Sequence, residues 1–287
     1  MSVSIRNITP ADLDIADAIL VSAYETGRSR RRELQRGLDL QPDGWFLALL
    51  DGRPVGVGGA VDYGPFASVG LMAVLPNARR RGVAARLLAR ILTWLDGRGC
   101  PRAALSATEA GTSLYRRYGF VDEGQTLVFR PQDNMPLPTP GLALSPSTRV
   151  TVLRREELPE LIAFDAPLFG AERAGLLAAY WADDPRRTLV AREASGAIAG
   201  YLVAQPRILG PWAATTEEVA DSLLTAALAL PFESGPIAII GDTSAAIEAL
   251  PRHGLTHQGT LLHMTRGATA MPGQPRSIYG QASFALG

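Results

Sequence analysis

Between Val74 and Leu88 the chain reads VLPNARRRGVAARLL, and these residue types at this spacing are suited to holding an anion. Arg79, Arg80 and Arg81 lead through Gly82 into a run where Ala84, Leu87, Leu88, Ile91, Leu92 and Leu95 recur at helical spacing. A helix start ordinarily favours acidic side chains, because aligned peptide dipoles leave partial positive charge there. Three arginines at that end set like charge on like charge. Phosphate oxygens would resolve the conflict. The unpaired backbone N–H groups of a helix start bind them, a glycine lets the backbone approach closely, and guanidinium groups add charge-assisted hydrogen bonds. Taken alone, the run fits three solvated arginines on a surface turn equally well.

The whole chain sets limits around this junction. Its 287 residues suit two domains of ordinary size, and a hydrophobic content of 47% with 20% charged residues describes a globular protein with a sizeable core. With 28 basic and 28 acidic residues the formal net charge is +0, so whole-surface attraction to nucleic acid or to an anionic membrane is not expected. The single cysteine, Cys100, excludes an internal disulfide. The start, MSVSIRNITPADLD, does not resemble a secretion signal, and no apolar run is long enough to span a bilayer, so a cytoplasmic location is expected. Every basic residue is arginine. The absence of lysine excludes a Walker-type phosphate loop and Schiff-base chemistry.

Strands and helices must position the arginine junction. VSIRNIT reads as a strand and PADLDIADAILVSAY as a helix. GWFLALLDG and RPVGVGGAVDYG read as two strands joined at Asp51-Gly52, a hairpin dipeptide. FASVGLMAV is a strand stopped by Pro76, and the helix after Gly82 ends around Gly97, Gly99 and Pro101. AALSA is a short buried strand, GTSLYRRYGF a short helix ending at Gly119, and TLVFRPQ closes the first unit. Residues 133–147 are proline-rich and aperiodic, a linker between domains at 1–132 and 148–287. Beyond it the order repeats: DGRPVGVGG is echoed by SGAIAGYLV and LYRRYGF by LPRHGL, matching Gly52, Gly56 and Gly119 with Gly196, Gly200 and Gly254.

Arg79-x-x-Gly82-x-Ala84, following Val74-x-Pro76, resembles the acetyl-CoA signature of the GCN5-related N-acetyltransferases, the GNAT family. LYRRYGF, about 35 residues downstream, is similar to that family's second landmark, and the resemblance covers residues 3–130. It implies an α/β (α+β) fold with a mixed twisted sheet flanked by helices, splayed between the fourth and fifth strands. It also implies acetyl-CoA as acetyl donor, its pantetheine arm pairing with the backbone around Met72, Ala73 and Val74. The pyrophosphate would lie on Arg79, Arg80, Arg81, Gly82, Val83 and Ala84. The implied reaction is direct transfer to a small-molecule or peptide amine in a ternary complex. Tyr115 matches the family's tyrosine that protonates the departing thiolate, with Tyr118 its neighbour, and the Val74 N–H would stabilise the oxyanion. Where relatives often carry a glutamate base, this chain has Ser68, which leaves Asp62, Tyr63 or a water chain as substitutes.

The second half, from FDAPLFGAERAGLL to HMTRG and IYGQASFALG, resembles a degenerate domain of the same kind. The helix at TTEEVADSLL opens on a capping box of Thr215 and Glu218, which puts carboxylates where a pyrophosphate would go, and Leu250 stands at the counterpart of Tyr115. This copy is expected to bind no CoA and to shape the acceptor site. Asp165 and Arg173, eight residues apart, would share a face if the helix were continuous; they could line the acceptor site, with Asp165 meeting the amine, or serve as a structural ion pair or cap. GRSRRRELQR, residues 27–36, could draw an acidic substrate or be a solvated helix face. His253, His257 and His263 do not make a metal site, because Gly254 occupies the glutamate position of HExxH and only one cysteine exists. The rival to an enzyme is a sensor that binds CoA or acyl-CoA without turning it over.

Overall fold

The computed structural model describes residues 2–25, 27–132, 149–270 and 272–287, so the expected linker, residues 133–147, lies outside the described residues. The first half of the chain runs β1 (Val3–Asn7), α1 (Leu13–Tyr24), α2 (Arg31–Leu40), β2 (Trp45–Leu50), β3 (Arg53–Asp62), β4 (Ala67–Val74), α3 (Val83–Gly97), β5 (Arg102–Ala107), α4 (Glu109–Arg117) and β6 (Val121–Pro131). The second half repeats that order as β7 (Arg149–Val152), α5 (Leu158–Phe169), α6 (Ala174–Asp183), β8 (Thr188–Arg192), β9 (Ile198–Ala204), β10 (Leu209–Ala214), α7 (Glu217–Leu228), β11 (Ala238–Gly241), α8 (Ala246–Arg252) and β12 (Leu255–Gly267), and then adds β13 (Ile278–Gly280). Among the described residues no helix is long and apolar enough to cross a membrane.

The first unit comprises Met1–Asp122, Met264–Thr269 and Phe284–Leu286. Its strands lie in the order β1-β2-β3-β4-β5, antiparallel except for the parallel β4–β5 pair. Asp51 (φ 48°) and Gly52 (φ 80°) turn the β2–β3 hairpin, as their dipeptide signals. The two faces are told apart by glycines on β3. A side chain at Gly58 would meet Leu87 and Ile91 of α3, whereas one at Gly59 would meet the Trp45 ring, against which Gly37 of α2 also packs. The periodic apolar residues of α3, including Leu87, Leu88 and Ile91 at 0% exposure, are therefore the stripe laid on the sheet.

The second unit comprises Glu123–His263, Ala270–Ser283 and Gly287. It holds the antiparallel strands β13-β10-β9-β8-β7 around the buried Trp212, Leu202 and Leu223. The echoed glycines have matching roles. Gly196 turns the β8–β9 hairpin with a φ of 89°, and Gly200 on β9 faces Val219 of α7 much as Gly56 on β3 faces Val83 of α3. Gly119 and Gly254, with φ of 84° and 76°, end α4 and α8.

The partition differs from the sequence expectation at β6 and near the end of the chain. β6 was expected to close the first unit, yet from Glu123 onward it belongs to the second, where it pairs with β11 from Thr126 to Phe129. Phe129 is part of the second unit's core. In turn the end of β12 and the short stretch Phe284–Leu286 belong to the first unit. Ala268 donates its N–H to the Pro101 carbonyl at 2.8 Å, and Arg102 donates Nη1 to the Ala268 carbonyl at 2.6 Å.

Candidate active site

β4 and β5 pair only at Ala67–Ala103 and Ser68–Ala104. From Val69 onward the two strands part, leaving a slot between the end of β4 and the end of β5. A bulge marks the parting: Gly59 pairs with Gly70 and Val57 with Ala73, so Leu71 and Met72 share one opposing residue, and Leu71 takes a φ of 52°. Leu75 gives its N–H to the Val55 carbonyl of β3 at 2.9 Å. By the alternation of an antiparallel ladder, the N–H and C=O groups of Val74 and Met72 then point to the other edge, into the slot. The slot thus turns backbone groups of β4 toward an extended ligand, with the Val74 carbonyl also taking a hydrogen bond from Arg79 Nε.

The slot leads to the start of α3. Arg80 (φ 61°) and Gly82 (φ 78°) both adopt the left-handed conformation, folding the loop tightly ahead of Val83. Gly82 is the N-cap and lends no side chain, and the first turn of α3 contains no acid. Its N–H groups at Val83, Ala84 and Ala85 lack intrahelical acceptors by the geometry of a helix start. Arg79 departs from a simple ligand-facing arrangement. Its Nη2 donates to the Ala23 carbonyl at 2.9 Å and its Nε to the Val74 carbonyl at 3.3 Å, while Nη1 lies 3.8 Å from Glu25. It clasps the end of α1 to the end of β4. Arg80 and Arg81 are exposed beside it.

Tyr115 lies on α4, 8% exposed, with its ring edge-on to Phe120 at 5.8 Å. The lack of a side chain at Gly111, one turn earlier, leaves room for that ring. Burial pushes the Tyr115 hydroxyl up to about 12, which keeps its proton in place at neutral pH. Tyr118 differs: its hydroxyl donates to the Ala85 carbonyl at 3.0 Å and ties α4 to α3.

The substitutes for a base are engaged elsewhere. Asp62 accepts Arg98 Nε and the Gly64 N–H, each at 2.8 Å. Tyr63 donates its hydroxyl to the Leu286 carbonyl at 2.7 Å, and Ser68 is buried. Sequence reasoning missed a neighbouring group made of Tyr24, Arg30 and Glu33. Burial pushes the Tyr24 hydroxyl well above the ordinary phenol range, Glu33 and Tyr115 push it further, and Arg30 opposes them. The only sequence signal was the basic run 27–36, whose cations the structure partly neutralises: Arg31 Nε meets Asp14 at 2.8 Å and Arg30 Nη1 lies 3.5 Å from Glu33.

The second unit repeats the slot and then fills it. β10 touches β11 through an isolated parallel bridge, Ile208–Ile237, and next to it β13 pairs along β10 at Trp212–Gly280 and Ala213–Ile278. Gln281 gives its N–H to the Ile239 carbonyl of β11 at 2.8 Å, so the chain itself occupies the parting. The start of α7 is satisfied from within. Its cap is Thr216, not the expected Thr215, because Thr216 Oγ1 accepts the Val219 N–H at 3.3 Å, and Glu217 and Glu218 fill the first turn. Leu250 is fully buried.

Asp165 and Arg173 do not share a continuous helix. α5 ends at Phe169, Gly170 turns left-handed at a φ of 90°, and Arg173 caps α6. They meet across that break, Arg173 Nε and Nη2 lying 2.8 and 2.9 Å from the two carboxylate oxygens of Asp165, with both side chains about 1% exposed. Among the described residues no group of three histidine, cysteine or acidic side chains could hold a metal ion. His253 packs in the interior with a ring nitrogen 3.2 Å from Asp221.

Comparison with known proteins gives this geometry a family. The acetyltransferase (GNAT) family matches residues 13–120, and an acetyltransferase (GNAT) domain matches residues 161–280. The chain is 24% identical over 261 residues to the holothin acyltransferase of a Pseudoalteromonas species, covering 89% of this chain and 85% of that protein. A candidate acetyltransferase from Pyrococcus horikoshii superposes with a TM-score of 0.84 at 24% identity, over 99% of this chain and 96% of that one. A tandem GNAT protein from the clavulanic acid biosynthesis pathway superposes with a TM-score of 0.64 at 15% identity, over 94% and 100%. With a match in each half, the chain belongs to the GNAT acetyltransferase family as a tandem member.

Proposed function

We propose that the first unit transfers the acetyl group of acetyl-CoA directly to a small-molecule or peptide amine within a ternary complex. The observation that carries this reading is the parting of β4 and β5, which opens onto a helix start free of acidic residues. In this reading the pantetheine arm adds along Met72, Ala73 and Val74. The pyrophosphate rests on the N–H groups of Gly82, Val83 and Ala84, with Arg80 and Arg81 supplying charge. Arg79 contributes by fixing the end of β4, since its guanidinium lies on the Val74 and Ala23 carbonyls.

The amine nitrogen attacks the thioester carbonyl while the Val74 N–H stabilises the developing oxyanion. The C–N bond forms and the C–S bond breaks; the departing thiolate takes the proton of Tyr115, and the phenolate recovers one from the nitrogen, which becomes the amide. This buried phenol holds its proton at neutral pH, so it has one to give. The second unit acts as a non-catalytic copy: β13 occupies its parting, and Glu217 and Glu218 occupy the helix start.

The second reading, a sensor that holds the thioester without turnover, draws on one observation: Ser68, Asp62 and Tyr63 are all buried or engaged. Thermal unfolding with and without acetyl-CoA tests the shared part of both readings. Ligand at a hundred times its dissociation constant should stabilise the protein by about 2.7 kcal/mol. No shift would remove both readings. Release of free thiol when an amine is added selects the enzyme over the sensor.

A further inference from the structure

The slot of the first unit has an end wall that comes from the far end of the sequence. β4 and β5 are paired as far as Ser68 and Ala104, so Gly70 lies just inside the parting, two residues before Met72. A side chain at Gly70 would run into the backbone of Ala285, so the stretch Phe284–Leu286 rests directly on β4 there. Gly70 pairs with Gly59 of β3, and paired residues face the same way across an antiparallel ladder. A side chain at Gly59 would meet Trp45, the ring that lies against Gly37 of α2. Ala285 therefore covers the α2 face of the sheet, opposite the face that α3 occupies.

The stretch is held as a fixed turn. The Leu286 carbonyl accepts the Tyr63 hydroxyl at 2.7 Å, and the Ala282 N–H donates to the Gly287 carbonyl at 2.6 Å, which closes the loop at its foot. Ala285 and Leu286 are fully buried, whereas Phe284 at the tip keeps part of its surface exposed. Tyr63 and Phe66, also partly exposed, bring their rings to 5.6 Å of each other in the turn just before β4. The closed end of the slot is thus framed by aromatic and aliphatic groups, and the Leu286 carbonyl is already taken.

We propose that Phe284–Leu286 is the acceptor-side wall of the first unit, and that Phe284 selects amines carrying an apolar group next to the nitrogen. This rests on the acyl-transfer reading above. A pantetheine arm paired at Met72 brings its reacting end within roughly 7 Å of Gly70, two strand residues away. α3 seals one face of the sheet, so the acceptor reaches the thioester from the face on which the wall lies. Its nitrogen points to the thioester, and its carbon body lies against Phe284. A charged group in that place would lose its water against apolar side chains, at a cost. An alkyl or aryl group would gain by leaving water there. The substrate class is a primary alkyl or arylalkyl amine.

The test uses calorimetry with three ligands: acetyl-CoA and two CoA thioethers, CoA–S–CH2–CO–NH–R, in which R is methyl or benzyl and stands in the acceptor's place. Wild type should bind the benzyl compound at least about tenfold more tightly than the methyl one, the gain expected from burying a phenyl ring. Phe284→Ala should lose most of that ratio while acetyl-CoA keeps its wild-type affinity, and Phe284→Leu should recover part of it. Gly70→Ala, whose methyl would push Ala285 off β4, should lower the ratio with Phe284 still present. Equal binding of the two thioethers by the wild type, or a ratio that survives Phe284→Ala, overturns the wall. If none of the three ligands binds, the acyl-transfer reading itself has failed, and the wall goes with it.

Discussion

Arg173 grips both carboxylate oxygens of Asp165, and the Tyr201 hydroxyl closes the group by donating to Asp165 Oδ1 at 2.6 Å. The pair lies inside the second unit with its charges matched. Removing one partner leaves the other buried and unpaired, so Arg173→Ala should cost about 3 to 5 kcal/mol in urea unfolding. Replacing both with apolar residues of similar size, Asp165→Leu with Arg173→Met, should recover most of that loss. A change in amine KM without loss of stability in Arg173→Ala would instead make the pair part of the acceptor site.

Tyr115→Phe removes a hydroxyl and leaves a ring of nearly the same shape against Phe120. Thiol release should fall by roughly 10²- to 10⁴-fold, the range for a lost general acid, with the acetyl-CoA thermal shift kept. The wild-type phenol is raised to about 12, so Tyr115 should cause no loss of kcat between pH 7 and 10. A basic limb that disappears in Tyr115→Phe would contradict that assignment.

Ala84→Asp puts an acid into the first turn of α3, where none stands. The fold should be unharmed or gain about 0.3 to 1 kcal/mol from the helix dipole. Acetyl-CoA affinity should fall at least tenfold. Opposite signs for stability and affinity would mark the helix start as the phosphate seat; an unchanged Kd by calorimetry would remove it.

Calorimetry should also find one acetyl-CoA per chain, because β13 lies along β10 in the second unit. Two equivalent sites would mean that the parting there opens and that the second copy has kept its cofactor chemistry.

Arg6 holds Asp12 through two hydrogen bonds of 2.6 and 2.7 Å, and with help from Thr9 it lowers that carboxyl well below the ordinary aspartate range. A depressed folded-state value means that the contribution to stability is full above the unfolded value of about 4 and is lost as pH falls below it. For a pair partly open to solvent this is worth about 1 kcal/mol or less. Asp12→Asn should therefore narrow the stability difference between pH 6 and pH 3 by that amount in urea titrations.

The arginine junction, the hairpin at Gly52 and the echo at Gly200 were legible because each answers a local demand: a charge conflict at a helix end, a left-handed turn, a close helix approach. The fate of β6 was not. TLVFRPQ has the pattern of a strand whichever core receives Phe129, and only tertiary pairing with β11 decides it. The break at Gly170 lies inside the run FDAPLFGAERAGLL, so the sequence left open whether one helix carries both Asp165 and Arg173. The cap at Thr216 missed by one residue, as two adjacent threonines made easy. Glu33 and Tyr24 carry no motif. Their meeting follows from how α1 and α2 pack, and nine residues of sequence separation do not reveal it.

The first unit draws Met264–Thr269 and Phe284–Leu286 from the far end of the chain. Gly70 on β4 packs directly against Ala285, with no space for a side chain between them. On the ribosome the N-terminal half therefore emerges long before its own sheet can be completed, and it must wait for nearly the whole chain. The usual advantage of a two-domain protein, in which the first domain folds while the second is still being made, is largely given up here. Each unit draws on both halves of the sequence, so a cut at the middle of the chain would leave neither one complete.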